Sequence, residues 1–217
     1  MSRAEALAAT YSTIAEWLLY PEEIDPAAID TDAADAAATS AGPLDQRVAE
    51  HLLAFWREHE SVDAEGYLEL LELNPRCPMY LGTHQFPEPT TCSAAGVSDR
   101  NQFMLEIGNV YRHFGFEIRG ELPDYLPAMV EFLALSSGCE VEADEALRSR
   151  FIARLMLPGV RTFAERLEEL ESIYGHLAQA LLICIEDEVG EDEVAAAEAE
   201  EAAAERVADR AKVVTFD

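Results

Sequence analysis

Leu7, Tyr11, Ile14 and Leu18 recur at intervals of four and three, which lays them along one face of a helix. Pro21 ends that helix, because proline disfavours helical geometry in the residue before it. Residues 22–43 are Ala, Asp, Thr and Pro with little bulky apolar content, and predict a loop with at most one short helix. A second helix is expected from Pro43, burying Leu44, Val48, Leu52 and Phe55, and a short third one over Val62 to Leu73, stopping before Asn74-Pro75. Residues 74–97 hold four prolines, two glycines and two cysteines and read as a long loop, a kind of segment that often carries function.

Ser98 is placed to cap a fourth helix, with Asp99 in its first turn where a negative charge suits the dipole. Phe103, Ile107, Val110 and Phe114 form its apolar stripe and Gly115 its stop. Pro123-Asp124 opens a fifth helix that buries Leu126, Met129, Val130 and Leu133 and closes at Gly138; a sixth spans 141–157 and breaks at Pro158-Gly159. The longest pattern follows: Val160, Phe163, Leu167, Leu170, Tyr174, Leu177, Leu181 and Cys184 predict one core-spanning helix. No stretch alternates with a period of two between turn signals. The expectation is an all-α, single-domain bundle of about seven helices over residues 1–185. Residues 186–217 are Ala/Glu-rich and low in complexity, and read as an acidic tail, a frayed helix or disordered.

Composition changes the picture in one respect. Asp and Glu number 43 against 15 Lys and Arg, a net charge of −28, and Lys212 is the only lysine. Such a surplus repels phosphates and anionic lipid, which argues against nucleic-acid and membrane-surface partners. The tail (12 acidic, 3 basic) leaves most of the imbalance in place. Its self-repulsion is tolerable where the Debye length shrinks to about 3 Å, near 1 M salt, which suggests a salt-adapted cytoplasm. No apolar run reaches the 18 residues of a membrane span, and Met1-Ser2-Arg3-Ala4-Glu5 leads straight into an amphipathic pattern, so a cytoplasmic location is expected.

Cys77, Cys92, Cys139 and Cys184 are scattered, and His84 between the first two lacks the further ligands of a metal site. No phosphate loop, dinucleotide fingerprint, zinc-protease or nucleophile-elbow motif occurs, so neither catalysis nor a cofactor is expected. Glu117, Glu121 and Asp124 instead crowd around one turn, with Tyr111 upstream and Tyr125 adjacent. Carboxylates among aromatic rings suit a guanidinium, which they hold by paired hydrogen bonds and stacking. The competing reading of the same residues is a helix cap at Asp124 and a solvated Glu121.

Glu121-Leu122-Pro123-Asp124-Tyr125-Leu126-Pro127, continuing to Glu131-Phe132-Leu133, resembles the signature of the NarJ/TorD/DmsD family of redox-enzyme maturation chaperones. Leu18-Leu19-Tyr20-Pro21, Glu65-Gly66-Tyr67 with Leu70-Leu71-Glu72-Leu73, Pro78-Met79-Tyr80-Leu81 with His84, and Arg100 followed by Tyr111 and Gly115-Phe116 are similar to further family segments in the same order. The block around Glu121 points to the NarJ-like branch. Many members carry His where this chain has Tyr125, and the segment Pro87 to Val97 and the acidic tail lie outside the resemblance.

The resemblance implies an all-helical, non-catalytic chaperone. Its partner would be the apo catalytic subunit of a molybdopterin oxidoreductase, held through an N-terminal, often twin-arginine, leader until the cofactor is inserted. It implies a peptide-binding turn of Glu121, Pro123, Asp124 and Tyr125, with Tyr80, His84, Arg100 and Tyr111 as further candidates, and a monomer or helix-exchanged dimer. The alternative from a different class is a helical regulatory or scaffold module that works through its acidic tail.

Overall fold

The computed structural model describes residues 2–21, 46–59, 62–86, 98–139 and 141–190, with 195 and 199 beyond them. Among these the helices are α1 (Arg3–Trp17), α2 (Gln46–Glu58), α3 (Ala64–Tyr67), α4 (Leu81–Gln85), α5 (Asp99–His113), α6 (Leu126–Ser136), α7 (Glu142–Arg150), α8 (Leu157–Glu169) and α9 (Tyr174–Val189). No strand occurs among the described residues, only an isolated antiparallel bridge between Tyr80 and Tyr125. The architecture is all-α, as the periodicity implied. The expected short helix within 22–43 and the segment 87–97 lie outside the described residues.

Helix ends follow their local chemistry. Ser2 caps α1, its hydroxyl accepting from Glu5 N while the Glu5 carboxylate accepts from Ser2 N. Ser98 caps α5 as expected, accepting from Asn101 N at 3.3 Å. Gly115, at φ 73°, ends α5 with the paired Gly115 N to Arg112 O and Phe116 N to Tyr111 O bonds of a Schellman stop.

Two helices dominate the packing: α1 lies along α6, and α9 packs against both α2 and α8. The predicted stripes fill the interior between them, with Tyr11, Ile14, Ile107, Met129, Val130, Leu133, Val160, Phe163, Leu167, Leu177 and Leu181 all buried. Trp17 of α1 stacks on Phe55 and Trp56 of α2, each at 5.4 Å between ring centroids, fastening α2 to the bundle.

Three expectations about boundaries are corrected. Pro158-Gly159 does not break a helix: α7 runs through a π-helical stretch, Phe151–Met156, straight into α8. Leu157 N donates to Ile152 O, five residues back, and this widened turn admits a proline that lacks the usual donor. Conversely, the long stripe from Val160 to Cys184 is divided between α8 and α9. Glu171 adopts φ 52°, and Glu171 N to Glu168 O with Ser172 N to Leu167 O make a Schellman stop without glycine. Third, the segment 74–97 holds a helix, α4. In addition, α9 runs on to Val189, beyond the expected boundary at 185.

A buried ion pair ties four of these helices together. Arg148 of α7, only 6% exposed, donates to Ser136 Oγ and to Leu133 O at the C-terminal end of α6, and pairs with Glu188 near the end of α9. Glu188 in turn accepts from the Tyr11 hydroxyl of α1 at 2.9 Å. A guanidinium at a helix C-terminus satisfies carbonyls with no intrahelical partner and complements the dipole. Burial lowers the Arg148 pKa.

Candidate functional site

The turn before α6 is zipped onto the segment before α4. Leu81 N donates to Asp124 O at 2.9 Å and Leu126 N to Met79 O at 2.8 Å, which sets the Tyr80 and Tyr125 rings 5.4 Å apart. Tyr80 then reaches across to give its hydroxyl proton to Glu121 Oε2 at 2.8 Å. Burial first, and the carboxylate second, push the Tyr80 pKa up to about 12, so it remains a donor at neutral pH. Tyr111 donates from within the core to Pro123 O at 3.1 Å and packs its ring on Phe116 and Phe132. Sequence-distant candidates thus converge: Tyr80, Arg100, Tyr111, Glu121, Pro123, Asp124 and Tyr125 share one corner of the bundle.

Asp124 has a different environment from its neighbours. It is fully buried (0% exposed), and its Oδ2 accepts from Gly82 N at 3.1 Å and from Arg100 at 3.2 Å. Its carboxylate therefore fastens the turn to α4 and α5, and the cap of α6 is Tyr125 instead, which offers no side-chain bond to the helix. Gly82 permits the arrangement: a Cβ there would sit 2.6 Å from Asp124 Oδ2 and 3.0 Å from Arg100 Nε. On the far side of α4, Gly159 is equally confined, with a Cβ position 2.7 Å from Gln85 Nε2 and 3.0 Å from Leu81 Cβ. His84 lies on this packed side. Its Nε2 donates to Pro78 O at 2.7 Å, its ring meets Phe163 edge-on, and burial lowers its pKa.

Beside the turn lies an open groove of about 460 Å³ between α1, α6 and the segment 116–121. Its apolar lining includes Ala15, Leu19, Phe116, Ile118, Tyr125, Pro127 and Ala128, and its carboxylates are Glu16, Glu117, Glu121 and Glu131. Arg119 is the one cation among the described lining residues, and it pairs with Glu117 at 2.8 Å. An apolar floor walled by carboxylates is complementary to a peptide that carries arginine beside hydrophobic residues.

Of the expected residues, Glu121 and Tyr125 line this groove. Tyr80 and Pro123 hold the turn at its edge, Asp124, Arg100 and Tyr111 lie behind it, and His84 faces the α4–α8 packing. The α1 contribution, Ser12, Ala15, Glu16 and Leu19, escaped the sequence reading, because nothing local in α1 reveals that it lies along α6. Among the described residues no group of three or more His, Cys, Asp or Glu is placed to hold a metal, and no helix is long and apolar enough to cross a membrane.

No protein-family model matches the chain. It is 29% identical to the probable nitrate reductase molybdenum cofactor assembly chaperone NarJ of Bacillus subtilis (strain 168), over 82% of this chain and 89% of that protein.

Proposed function

We propose that the chain, 29% identical to a NarJ chaperone over most of its length, is itself a NarJ-like molybdoenzyme-maturation chaperone and binds the N-terminal leader of an apo molybdopterin oxidoreductase subunit in the groove between α1 and α6. The observation that carries this reading is the groove itself: four carboxylates around an apolar floor, beside the turn zipped by Tyr80 and Tyr125. Glu121, Glu16 and Glu131 take the leader's guanidinium groups, and Leu19, Phe116, Ile118 and Tyr125 take its apolar residues. Asp124 and Arg100 act as positioning residues, since their pairing holds the Glu121–Tyr125 turn in place from behind. Holding the leader in the cytoplasm delays export or assembly until the cofactor is in, and the role requires no catalysis by this chain.

The net charge of −28 fits a salt-rich cytoplasm, where long-range attraction is screened and affinity comes from close contacts. Surface acids outside the groove then add little. Glu121→Gln keeps the shape of the side chain and its bond from Tyr80 but removes the charge. In molar potassium chloride it is expected to weaken a twin-arginine leader peptide roughly three- to tenfold, the scale of one solvent-exposed charge-assisted contact. Calorimetric titration checks this, with Glu69→Gln, an exposed acid outside the groove lining, as the control. Equal losses in the two variants would contradict the assignment of Glu121.

A further inference from the structure

We propose that the chain's own C-terminal segment, residues 206–216, occupies the acidic groove and competes there with the client leader. The proposal rests on the reading of the groove as a leader site and adds a second, tethered occupant.

Charge within the tail reverses sign. Residues 186–205 hold ten Asp and Glu and no basic residue, whereas Arg206, Arg210 and Lys212 stand against only Asp209 and Asp217 in the last twelve. Val213, Val214 and Phe216 follow the three cations directly. Cations followed by apolar residues are what the groove's carboxylates and apolar floor complement. In a chain of net charge −28 that holds 15 basic residues in all, this is a concentrated basic-apolar run.

The anchor of the tail places it within reach. Near the end of α9, Asp187 pairs with Arg3 and Glu188 accepts from Tyr11, so the helix finishes against α1. Ser12, the next residue along α1, already lines the groove. From Gly190 to Arg206 the chain covers roughly 24 Å if helical and up to about 53 Å if extended. Either span exceeds the roughly 6 Å of one further turn from Ser12 to Glu16. The acids between, such as Glu193 and Glu201, are repelled by the groove's own carboxylates, so only the terminal run is drawn in.

A tether of this length gives an effective concentration on the order of millimolar, enough for a weak segment to exclude weak ligands while yielding to a tight one. The expected consequence is a filter: incidental basic-apolar peptides are kept out, and a client leader displaces the tail.

The test compares the full chain with its Arg206→Gln/Arg210→Gln/Lys212→Gln variant in molar potassium chloride, which screens the general effect of removing three charges. Each is titrated with a twin-arginine leader peptide, and the variant also with a synthetic peptide of residues 206–217. The variant is expected to bind the leader about three- to tenfold more tightly, and the tail peptide to bind it saturably. Equal leader affinities overturn the proposal whatever the tail peptide does, and so does tightening without tail-peptide binding. If the leader binds neither chain, the leader reading alone fails and the tail peptide decides: saturable binding, weakened in Glu121→Gln, upholds the tethered occupant, and no binding overturns it.

Discussion

Replacing Arg148 with alanine is expected to lower folding stability by about 3–5 kcal/mol, the range for removing one partner of a buried ion pair. The magnitude comes from what is left behind. Glu188, which also accepts from Tyr11, would keep a carboxylate in a site where its side chain is only 14% exposed. The hydroxyls of Ser136 and Ser137 would lose the guanidinium as donor at the end of α6, and Leu133 O would lose it too, keeping the bond from the Ser137 hydroxyl. Denaturant unfolding gives the loss directly, and adding Glu188→Gln should recover part of it, because the stranded charge is then gone. A loss below about 1 kcal/mol would mean that α1, α6, α7 and α9 are held by apolar packing alone. The network lies away from the groove's carboxylates, so variants that remain folded are expected to keep their affinity for a leader peptide.

Two identical substitutions at different glycines are expected to act with opposite sign. Gly82→Ala puts a methyl group 2.6 Å from Asp124 Oδ2 and 3.0 Å from Arg100 Nε, atoms that are buried or nearly so and cannot swing into solvent. Overpacking of this kind costs about 1–3 kcal/mol, and the intrinsic helix gain of alanine offsets at most about 1 of it. Gly108→Ala, within α5, meets nothing within 4 Å and should gain about 0.5–1 kcal/mol. The Gly82 variant should also lose affinity for the leader, since moving Asp124 shifts the turn that presents Glu121 and Tyr125. Thermal melts of both variants, with leader titration of the first, check the pair; stabilisation by Gly82→Ala would show that Asp124 does not hold the turn against α4.

The sequence carried the helices wherever burial and spacing agreed, and the exceptions have identifiable physical causes. The stop at Glu171 was hidden because a Schellman turn normally advertises itself with glycine, as Gly115 does. Pro158 looked like a breaker because a proline's clash depends on the turn behind it, and the π-helical stretch that relieves the clash has no sequence signal. The Glu121–Tyr125 turn was legible as a local motif. Its environment was not: Asp124 looks like a surface acid until α4 brings Gly82 and α5 brings Arg100 against it. Arg148 is likewise one charge among many in Glu142–Arg150, and only the packing of α6 and α9 makes it a buried one. The α1 half of the groove belongs to the same category, a tertiary fact without a local trace.

The most direct test of the central claim is calorimetric titration of the full chain with two leader peptides in molar potassium chloride. One peptide carries the paired arginines, and in the other both are glutamine. If the groove's carboxylates read the guanidinium groups, the first binds saturably and the replacement weakens it at least about tenfold. Equal binding of the two peptides, or none by the folded chain, would contradict that claim.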